Sequence, residues 1–369
     1  MSSNIYIWQD YDWPHFRWNE SEISYRLADV RHQQGLLIGR ISALGFEVQS
    51  SAMLETMTMD VASSSEIEGI HLNTDEIRSS VARHLGLPTN GMPIATHYVD
   101  GVVQILMDAV SNAMQPLSDE RLFGWHSALF PTGRSGAWKI VVANWRQSEE
   151  PMQVVSGALG KEKVHYEAPP TVDVPVMMDE LMKWINSPIL VDPVLKAAIA
   201  HLWFVSIHPF EDGNGRIART ITDMLITRAD KLTQRFYSIS AAIMNNRKSY
   251  YDILEKTQHG DMDITEWLIW FIKITGDAIA MTNEMISNVV NKTSFWNGHN
   301  AESFNGREIK IINRLLDGFN GNLTSGKYAK ICHCSPDTAL RDIQELLKMN
   351  ILNKEGEGRG TYYIIQTIT

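Results

Sequence analysis

Three observations predict a mainly α-helical chain with a short β-hairpin and a small, separately patterned C-terminal domain. Apolar residues recur at three- and four-residue spacing through most of the 369 residues, the spacing that places them on one helix face. The stretch from Pro131 to Pro175 is instead rich in Gly, Pro and β-branched residues, which reads as loops with short strands or a hairpin. Beyond Asn300 the pattern changes to short amphipathic segments followed by two β-branched and aromatic runs. A hydrophobic content of 44% supports a full core, and the length suits one larger domain plus a smaller one.

Taken in order, residues from Leu27 to Asp60 read as one or two helices. Ser118 is an N-cap for a helix from Asp119 to Phe130, stopped by Pro131 and Gly133. Asp192 followed by Pro193 starts another helix, which Ala197, Leu202, Trp203 and Val205 make apolar all round. Such a helix belongs in a core. Two more helices are expected over Ile243–His259 and Ile264–Asn291, and Asn297-Gly298-His299-Asn300 reads as a linker. After it come an amphipathic Arg307–Phe319, a short helix at Leu323–Ile331, and a helix to Met349 capped by Ser335 with Pro336 at its first position. Ile351-Leu352 and Thr361–Ile365 flank a glycine-rich tip. Three helices and a two-stranded wing resemble a winged helix-turn-helix. The expected domains are a helical N-terminal region over 1–110, a core over 111–295 and the winged-helix domain over 301–369.

Composition excludes several classes. A net charge of −10 and a pI near 5.6 argue against broad attraction to nucleic acid or anionic lipid. Cys332 and Cys334 are one residue apart, which is poor disulfide geometry, and with His333 they match no zinc pattern. Cysteine poverty fits a reducing cytoplasm. The N-terminus lacks a basic segment followed by an apolar one, and apolar runs are interrupted well short of a membrane span. The expectation is a cytoplasmic protein without membrane contact.

The run from His208 to Arg219, HPFEDGNGRIAR, carries the chemistry. Gly213 and Gly215 let backbone N–H groups approach an anion closely. Arg216 opens a helical run, so the glycines sit at a helix N-terminus, where unpaired N–H groups and the macrodipole favour phosphate. Arg216 and Arg219 share a helix face. Asp212 is a hard oxygen ligand for Mg²⁺, and His208 can take a proton near neutral pH.

This run resembles the Fic-family signature H-x-F-x-[DE]-G-N-G-R-x-x-R at every specified position. The resemblance implies a Fic-type helical bundle that transfers AMP from ATP onto a Ser, Thr or Tyr hydroxyl of a target protein, or of itself. It implies His208 as general base and Asp212 as the Mg²⁺ ligand. Gly213, Asn214 and Gly215 would form the anion hole, with Arg216 on the β-phosphate and Arg219 on the γ-phosphate. Phe210 would anchor the loop. In the Doc branch, which phosphorylates its targets, lysine replaces the second glycine; Gly215 is intact here. Ser64-Ser65-Glu66-Ile67-Glu68-Gly69 matches the family's inhibitory motif [ST]-x-x-x-E-[GN]. By that resemblance Glu68 would pair with Arg219 in place of the γ-phosphate, with Ser64 and Gly69 supporting the helix end.

Val164-His165-Tyr166-Glu167, followed by Ala168-Pro169-Pro170, resembles the family's flap, a hairpin that covers the nucleotide and pairs with an extended target segment. Tyr250 and Tyr251 match a Tyr-Tyr pair near the adenine in relatives. Trp8-Gln9-Asp10-Tyr11-Asp12-Trp13-Pro14 resembles the opening of one Fic subfamily. Other readings stay open. The chain could be a DNA-binding regulator acting through the C-terminal domain, or a Fic enzyme that removes AMP or uses another nucleotide donor. From Ser303 to Thr369, nine Lys and Arg stand against seven Asp and Glu, a weak footprint for DNA. Lys327, Lys330, Arg341, Lys348, Lys354 and Arg359 could still cluster, although protein contact or a homodimer suits this balance better.

Overall fold

Short polar side chains start most of the helices by accepting otherwise unpaired backbone N–H groups. The computed structural model describes residues 6–366 except 90, 158–162, 189, 231–233, 317, 318 and 320; the side chains of Ala301 and Arg359 also lie outside the described set. Asn19 caps α1 (Glu20–Ser42), and a break at Ala43–Gly45 leads into α2 (Phe46–Ile67). Asn73 caps α3 (Thr74–His84), Thr96 caps α4 (His97–Ser111) and Ser118 caps α5 (Asp119–Leu129). Two antiparallel hairpins follow, β1 (Arg134–Ser135) with β2 (Trp138–Lys139) and β3 (Gln153–Ser156) with β4 (Lys163–Glu167). Pro175 lies in the first turn of α6 (Val174–Asn186), and Asp192 caps α7 (Pro193–Ile207). Next come α8 (Asn214–Asp230), α9 (Ile239–Asn245), α10 (Arg247–Gln258) and α11 (Thr265–Gly298).

By internal packing the described residues divide into two compact units: those up to 43 together with 53–282, and 44–52 together with 283 onward. In the first unit α7 is the central helix, buried on every face as its composition requires. α8 packs along it, buried from Arg216 to Thr227, and α4 and α6 flank the pair. Each fully buried Leu, Ile or Phe of this core contributes about 1.5–3 kcal/mol.

A polar spine runs through the same unit. Thr56, Asp60 and Ser64 are spaced by four on α2, with Glu68 four residues further in the turn just past its end, so all four fall along one face. Thr56 donates to the Phe236 carbonyl at 3.2 Å, and Asp60 accepts from Ser238 and Ser240. One residue before Phe236, the buried Arg235 pairs with buried Asp223 of α8 and donates to the Tyr237 carbonyl at 2.8 Å. Burial pushes the Asp223 carboxyl well above its usual range, against the pull of Arg235.

In the second unit α12 (Gly306–Leu316), α13 (Ser325–Cys332) and α14 (Pro336–Lys348) pack with β5 (Leu352–Glu355) and β6 (Tyr362–Ile365), an antiparallel pair. Ile311, Ile312, Tyr328, Ile343, Leu346 and Tyr363 belong to its core. The Tyr363 N–H donates to the Leu323 carbonyl, at the start of α13, at 2.8 Å. Arg307 grips Asp342 with two bonds of 2.7 and 3.0 Å, and the Tyr328 hydroxyl donates to the same carboxylate at 2.9 Å.

Two expected boundaries differ. The helix expected over Ile243–His259 is broken at Asn246, whose Nδ2 donates to the Ala242 carbonyl at 2.9 Å, the side-chain competition typical of Asn. The expected linker at Asn297–Asn300 begins too early, since α11 runs through Gly298. There His299 stacks on Phe295 at 4.2 Å and bonds its carbonyl at 2.8 Å. Among the described residues no helix is long and apolar enough to cross a membrane.

Arg235→Ala leaves Asp223 buried without its counter-charge. The expected loss is about 3–5 kcal/mol, read from the urea midpoint of the whole chain.

Candidate active site

The loop from His208 to Gly213 links the C-terminus of α7 to the N-terminus of α8, and several backbone features hold it. His208 ends α7 in the left-handed region (φ 52°), where a non-glycine residue is strained. The Asn214 side chain accepts from the Phe210 N–H at 2.9 Å and donates to its carbonyl at 2.8 Å, closing the turn. Asn214 therefore offers an anion only its backbone N–H. Phe210 is fully buried and stacks on His126 at 4.2 Å.

Two residues that sequence reading missed carry the loop. Buried Arg146 donates through Nε to the His208 carbonyl at 3.0 Å and through Nη1 to Thr171 at 2.7 Å, while its own N–H donates to the Pro209 carbonyl at 2.8 Å. His126 accepts from the Ala143 N–H through Nδ1 and donates through Nε2 to the Asp212 carbonyl at 3.2 Å. Burial lowers its pKa to about 4, so it is neutral and fixed in one tautomer. The signal available for either was a polar residue in an otherwise apolar or loop context, which does not say what it touches.

At His208 the Nδ1–H donates to the Val205 carbonyl at 3.3 Å, which leaves the Nε2 lone pair free. Burial lowers this imidazole to about 4, so it is uncharged at neutral pH. Asp212 accepts from the Gly213 N–H and from the Ser135 hydroxyl, and its side chain keeps 42% exposure. Among the described residues no group of three or more His, Cys, Asp or Glu is arranged to hold a metal alone. One half-exposed carboxylate at the start of α8, near an Arg216 Nε that is unpartnered among the described residues, nevertheless suits Mg²⁺, which binds through one or two carboxylates plus phosphate oxygens and water.

The arginines lie buried on α8. Arg216 donates to the Tyr98 hydroxyl at 2.9 Å and covers the Phe130 ring at 5.0 Å, with Asp212 3.8 Å away. Arg219 is 1% exposed and is met from α2. It donates to the Ser64 hydroxyl at 3.0 Å, the Ser64 carbonyl at 2.8 Å and the Glu68 carboxylate at 2.7 Å. Arg219 Nη1 and Arg216 Nε are buried and find no hydrogen-bond partner among the described residues, a deficit that an anion would fill. Gly215 faces the same carboxylate, and a Cβ there would collide with Glu68 Oε1. α2 ends in a Schellman motif: the Gly69 N–H donates to the Glu66 carbonyl, the Ile70 N–H donates to the Ser65 carbonyl, and Gly69 has φ 78°. Arg247 Nε and the Tyr251 hydroxyl donate to the Ile67 carbonyl, fixing the helix end from α10.

These groups face a cavity of about 520 Å³ that Glu68, His208, Gly215, Tyr250 and Tyr251 share with β3 and β4. Of the flap residues expected to line it, His165 and Tyr166 do so. Val164 is not on its wall and is 41% exposed, and Glu167 sits at the far end of the strand, bonded to Gln153 at 2.9 Å. The buried Tyr166 hydroxyl donates to the Ser206 carbonyl at 2.7 Å, tying the hairpin to α7. Tyr250 is held by His201. The Thr222 hydroxyl is spent on the Ala218 carbonyl, so His201 Nδ1–H donates to it and Nε2 accepts from Tyr250 at 2.8 Å.

Comparison with known proteins gives the arrangement its place. A model described as Fic/DOC family matches residues 116–226, the span that holds the flap and the loop. Residues 116–226 thus match a Fic/DOC family domain. A second model, described only as a domain of unknown function (DUF4172), matches residues 6–87, which include α2. The protein adenylyltransferase Fic of Aedes aegypti is 37% identical over 92 residues, 24% of this chain and 17% of that protein. A probable protein adenylyltransferase of Aquifex aeolicus is 29% identical over 124 residues, 34% of this chain and 36% of that one. The chain thus spans well under half the length of either relative. A solved Fic family protein from Desulfovibrio desulfuricans shares the fold at TM-score 0.52 and 17% identity, covering 93% of this chain and 97% of its own. A C. elegans Fic-1 structure does so at 0.50 and 21%, over 72% and 73%. At these identities the likeness concerns the fold alone, and it agrees with the predominantly helical first unit that houses the Fic domain.

One consequence of the buried imidazoles is measurable. Burial lowers His201 from 6.5 to about 3. The unfolded chain therefore binds the extra proton first, and this group's contribution is present above about 6.5 and lost as pH falls toward 3. His201→Gln removes that loss. Its stability deficit against wild type, read from urea midpoints, should shrink steadily from pH 7 to pH 4.

Proposed function

We propose that the chain is a protein adenylyltransferase that moves AMP from ATP to a Ser, Thr or Tyr hydroxyl of a protein and is held inactive by Glu68. The single observation that carries the reading is the buried Arg219 guanidinium. It bonds Glu68 at 2.7 Å at the foot of a nucleotide-sized cavity beside a neutral His208. The adenylyltransferase names of the relatives support the reaction class.

In this reading the flap and the Tyr250 region receive the nucleoside. The N–H groups of Asn214 and Gly215, with Arg216 and Arg219, take the polyphosphate as charge-assisted donors, while the Gly213 N–H is held by Asp212. Asp212 would hold Mg²⁺, which supplies charge neutralisation at the phosphates. His208 Nε2 takes the proton of the incoming hydroxyl, because Nδ1 is committed to Val205. Arg146 keeps the His208 backbone in its strained place. Glu68 fills the Arg219 position that a γ-phosphate needs, so one carboxylate and one phosphate compete for one guanidinium. The same carboxylate could orient water for AMP removal, a second activity to assay. Residues 1–110 would then carry the brake and 111–295 the catalytic core.

Residues 301–369 read as a winged helix-turn-helix: three helices, a β5–β6 wing, and α14 as the second helix of the turn. Exposed Lys327, Lys330, Arg341, Lys348 and Lys354 share this unit with exposed Asp337 and Glu345. The mixed charge favours protein contact, including a homodimer, over DNA.

The test uses ATP labelled at the α-phosphate, Mg²⁺ and a cell lysate as acceptor. Wild type should label lysate proteins weakly and Glu68→Gly strongly. Adding His208→Ala should lower the Glu68→Gly rate by roughly 10²–10⁴, the usual contribution of a general base. No transfer by any variant would remove the reading. For Glu68→Gly, the acid limb of kcat/KM should fall below the ordinary histidine range, toward about 4.

A further inference from the structure

The flap holds a hydroxyl–imidazole–carboxylate chain that the reaction above does not use. β3 and β4 pair Val154 with Tyr166 and then Val155 with Val164, so His165 is the extra residue of a β-bulge. Bulges re-aim side chains, and this one turns His165 between two partners. His165 Nδ1 lies 2.7 Å from Glu255 Oε2 on α10, and Nε2 lies 2.5 Å from Ser156 Oγ on β3. Lys163 holds the other Glu255 oxygen at 3.1 Å. The bonds from His165 and Lys163 keep the Glu255 carboxyl below its usual value.

The partners decide the protons. A carboxylate can only accept, so Nδ1–H donates to Glu255. In the neutral ring Nε2 is then an acceptor, and the Ser156 O–H must donate to it. This is the order of hydroxyl, base and orienting acid that activates a serine nucleophile. Ser156, His165 and Glu255 line the same cavity as His208 and Gly215.

We propose that Ser156 is the chain's own nucleotidyl acceptor, with His165 as its base and Glu255 as the residue that orients that base. The proposal rests on the AMP-transfer reading above. The Ser156 Oγ lone pair forms the bond to the α-phosphorus of ATP. The bond from that phosphorus to the oxygen bridging the β-phosphate breaks, and pyrophosphate leaves with its electron pair. The Oγ proton passes to His165 Nε2, and Glu255 stabilises the resulting imidazolium through Nδ1–H. The product is a phosphodiester on the flap strand, at the rim of the cavity. Because acceptor and donor site belong to one chain, modification is intramolecular.

The test incubates full-length Glu68→Gly protein with ATP and Mg²⁺, locates AMP by tandem mass spectrometry and follows pyrophosphate release. AMP should appear on Ser156, with a fraction modified per unit time that does not change on tenfold dilution. Ser156→Ala should abolish this adduct and Ser156→Thr restore it. Glu255→Gln should slow it by about tenfold or more, since a misoriented base loses much of its contribution. AMP on other residues with Ser156 bare would overturn the acceptor assignment and leave AMP transfer standing; the trio would then only fasten the flap to α10. Absence of both adduct and pyrophosphate release would overturn this proposal together with the reading on which it rests.

Discussion

A guanidinium that is 1% exposed cannot be left without an anion, and much of the first unit is arranged around that constraint at Arg219. α8 brings Arg219 into the core because Ile217, Ala218, Ile221, Met224 and Leu225 of the same helix are buried there and the helix packs along α7. The missing negative charge comes from α2, through Glu68. For Glu68 to arrive, α2 must end at one place and lie at one height. Gly69 supplies the ending, because the left-handed turn that returns Ile70 to the Ser65 carbonyl is open to glycine without strain. The height is set farther back, where Asp60 and Thr56 bond the segment that Arg235 ties to α8. Gly215 completes the fit, since any side chain there would occupy the space of the Glu68 carboxylate.

How much of this was legible depended on whether a residue's role is local. Helix starts at Ser118, Asp192 and Ser335 could be read directly, because a cap bonds N–H groups two or three residues away. The all-apolar α7 declared its own burial. The loop HPFEDGNGRIAR could be read from its residue types at a helix start, whereas Ser64 and Glu68 were named only through their resemblance to the family's inhibitory motif. The break at Asn246 was hidden because both flanking segments keep a helical apolar pattern while one side chain captures the Ala242 carbonyl. Arg146 and His126 were hidden for a different reason. Their partners, the carbonyls of His208 and Asp212, are distant in sequence and have no side-chain identity, so nothing in the residue types signals the contact. The flap was placed correctly as a hairpin, but a one-residue bulge decides which side chains face the cavity. That is why His165 and Tyr166 face it and Val164 does not.

Neutral histidines recur around the loop, and each is neutral because it is buried and its nitrogens have assigned partners. His126 joins two backbone groups, and His201 links Thr222 to Tyr250. Such residues act as rigid polar struts inside an apolar region. A protonated imidazole beside Arg216 or Arg219 would add a second cation to a region that already lacks negative charge. Keeping the struts neutral reserves the positive potential for the anion site. His208 follows the same rule with one nitrogen uncommitted, which distinguishes it from the two struts.

The proposed brake would have a thermodynamic signature that follows from reciprocity. If Glu68 and a phosphate compete for Arg219, then whatever lowers the affinity of α2 for its seat raises productive nucleotide affinity by the same factor. Glu68 is about one-third exposed while Arg219 is buried, so the pair is reachable from the cavity side. Its contribution is therefore smaller than that of a sealed ion pair such as Arg235–Asp223. The spine divides accordingly into a permanent part and an exchangeable part. Arg235, Asp223 and Asp60 are buried and hold the helix in register. Glu68 sits at the wet end, about one-third exposed, which is where the proposed exchange of carboxylate for phosphate would take place.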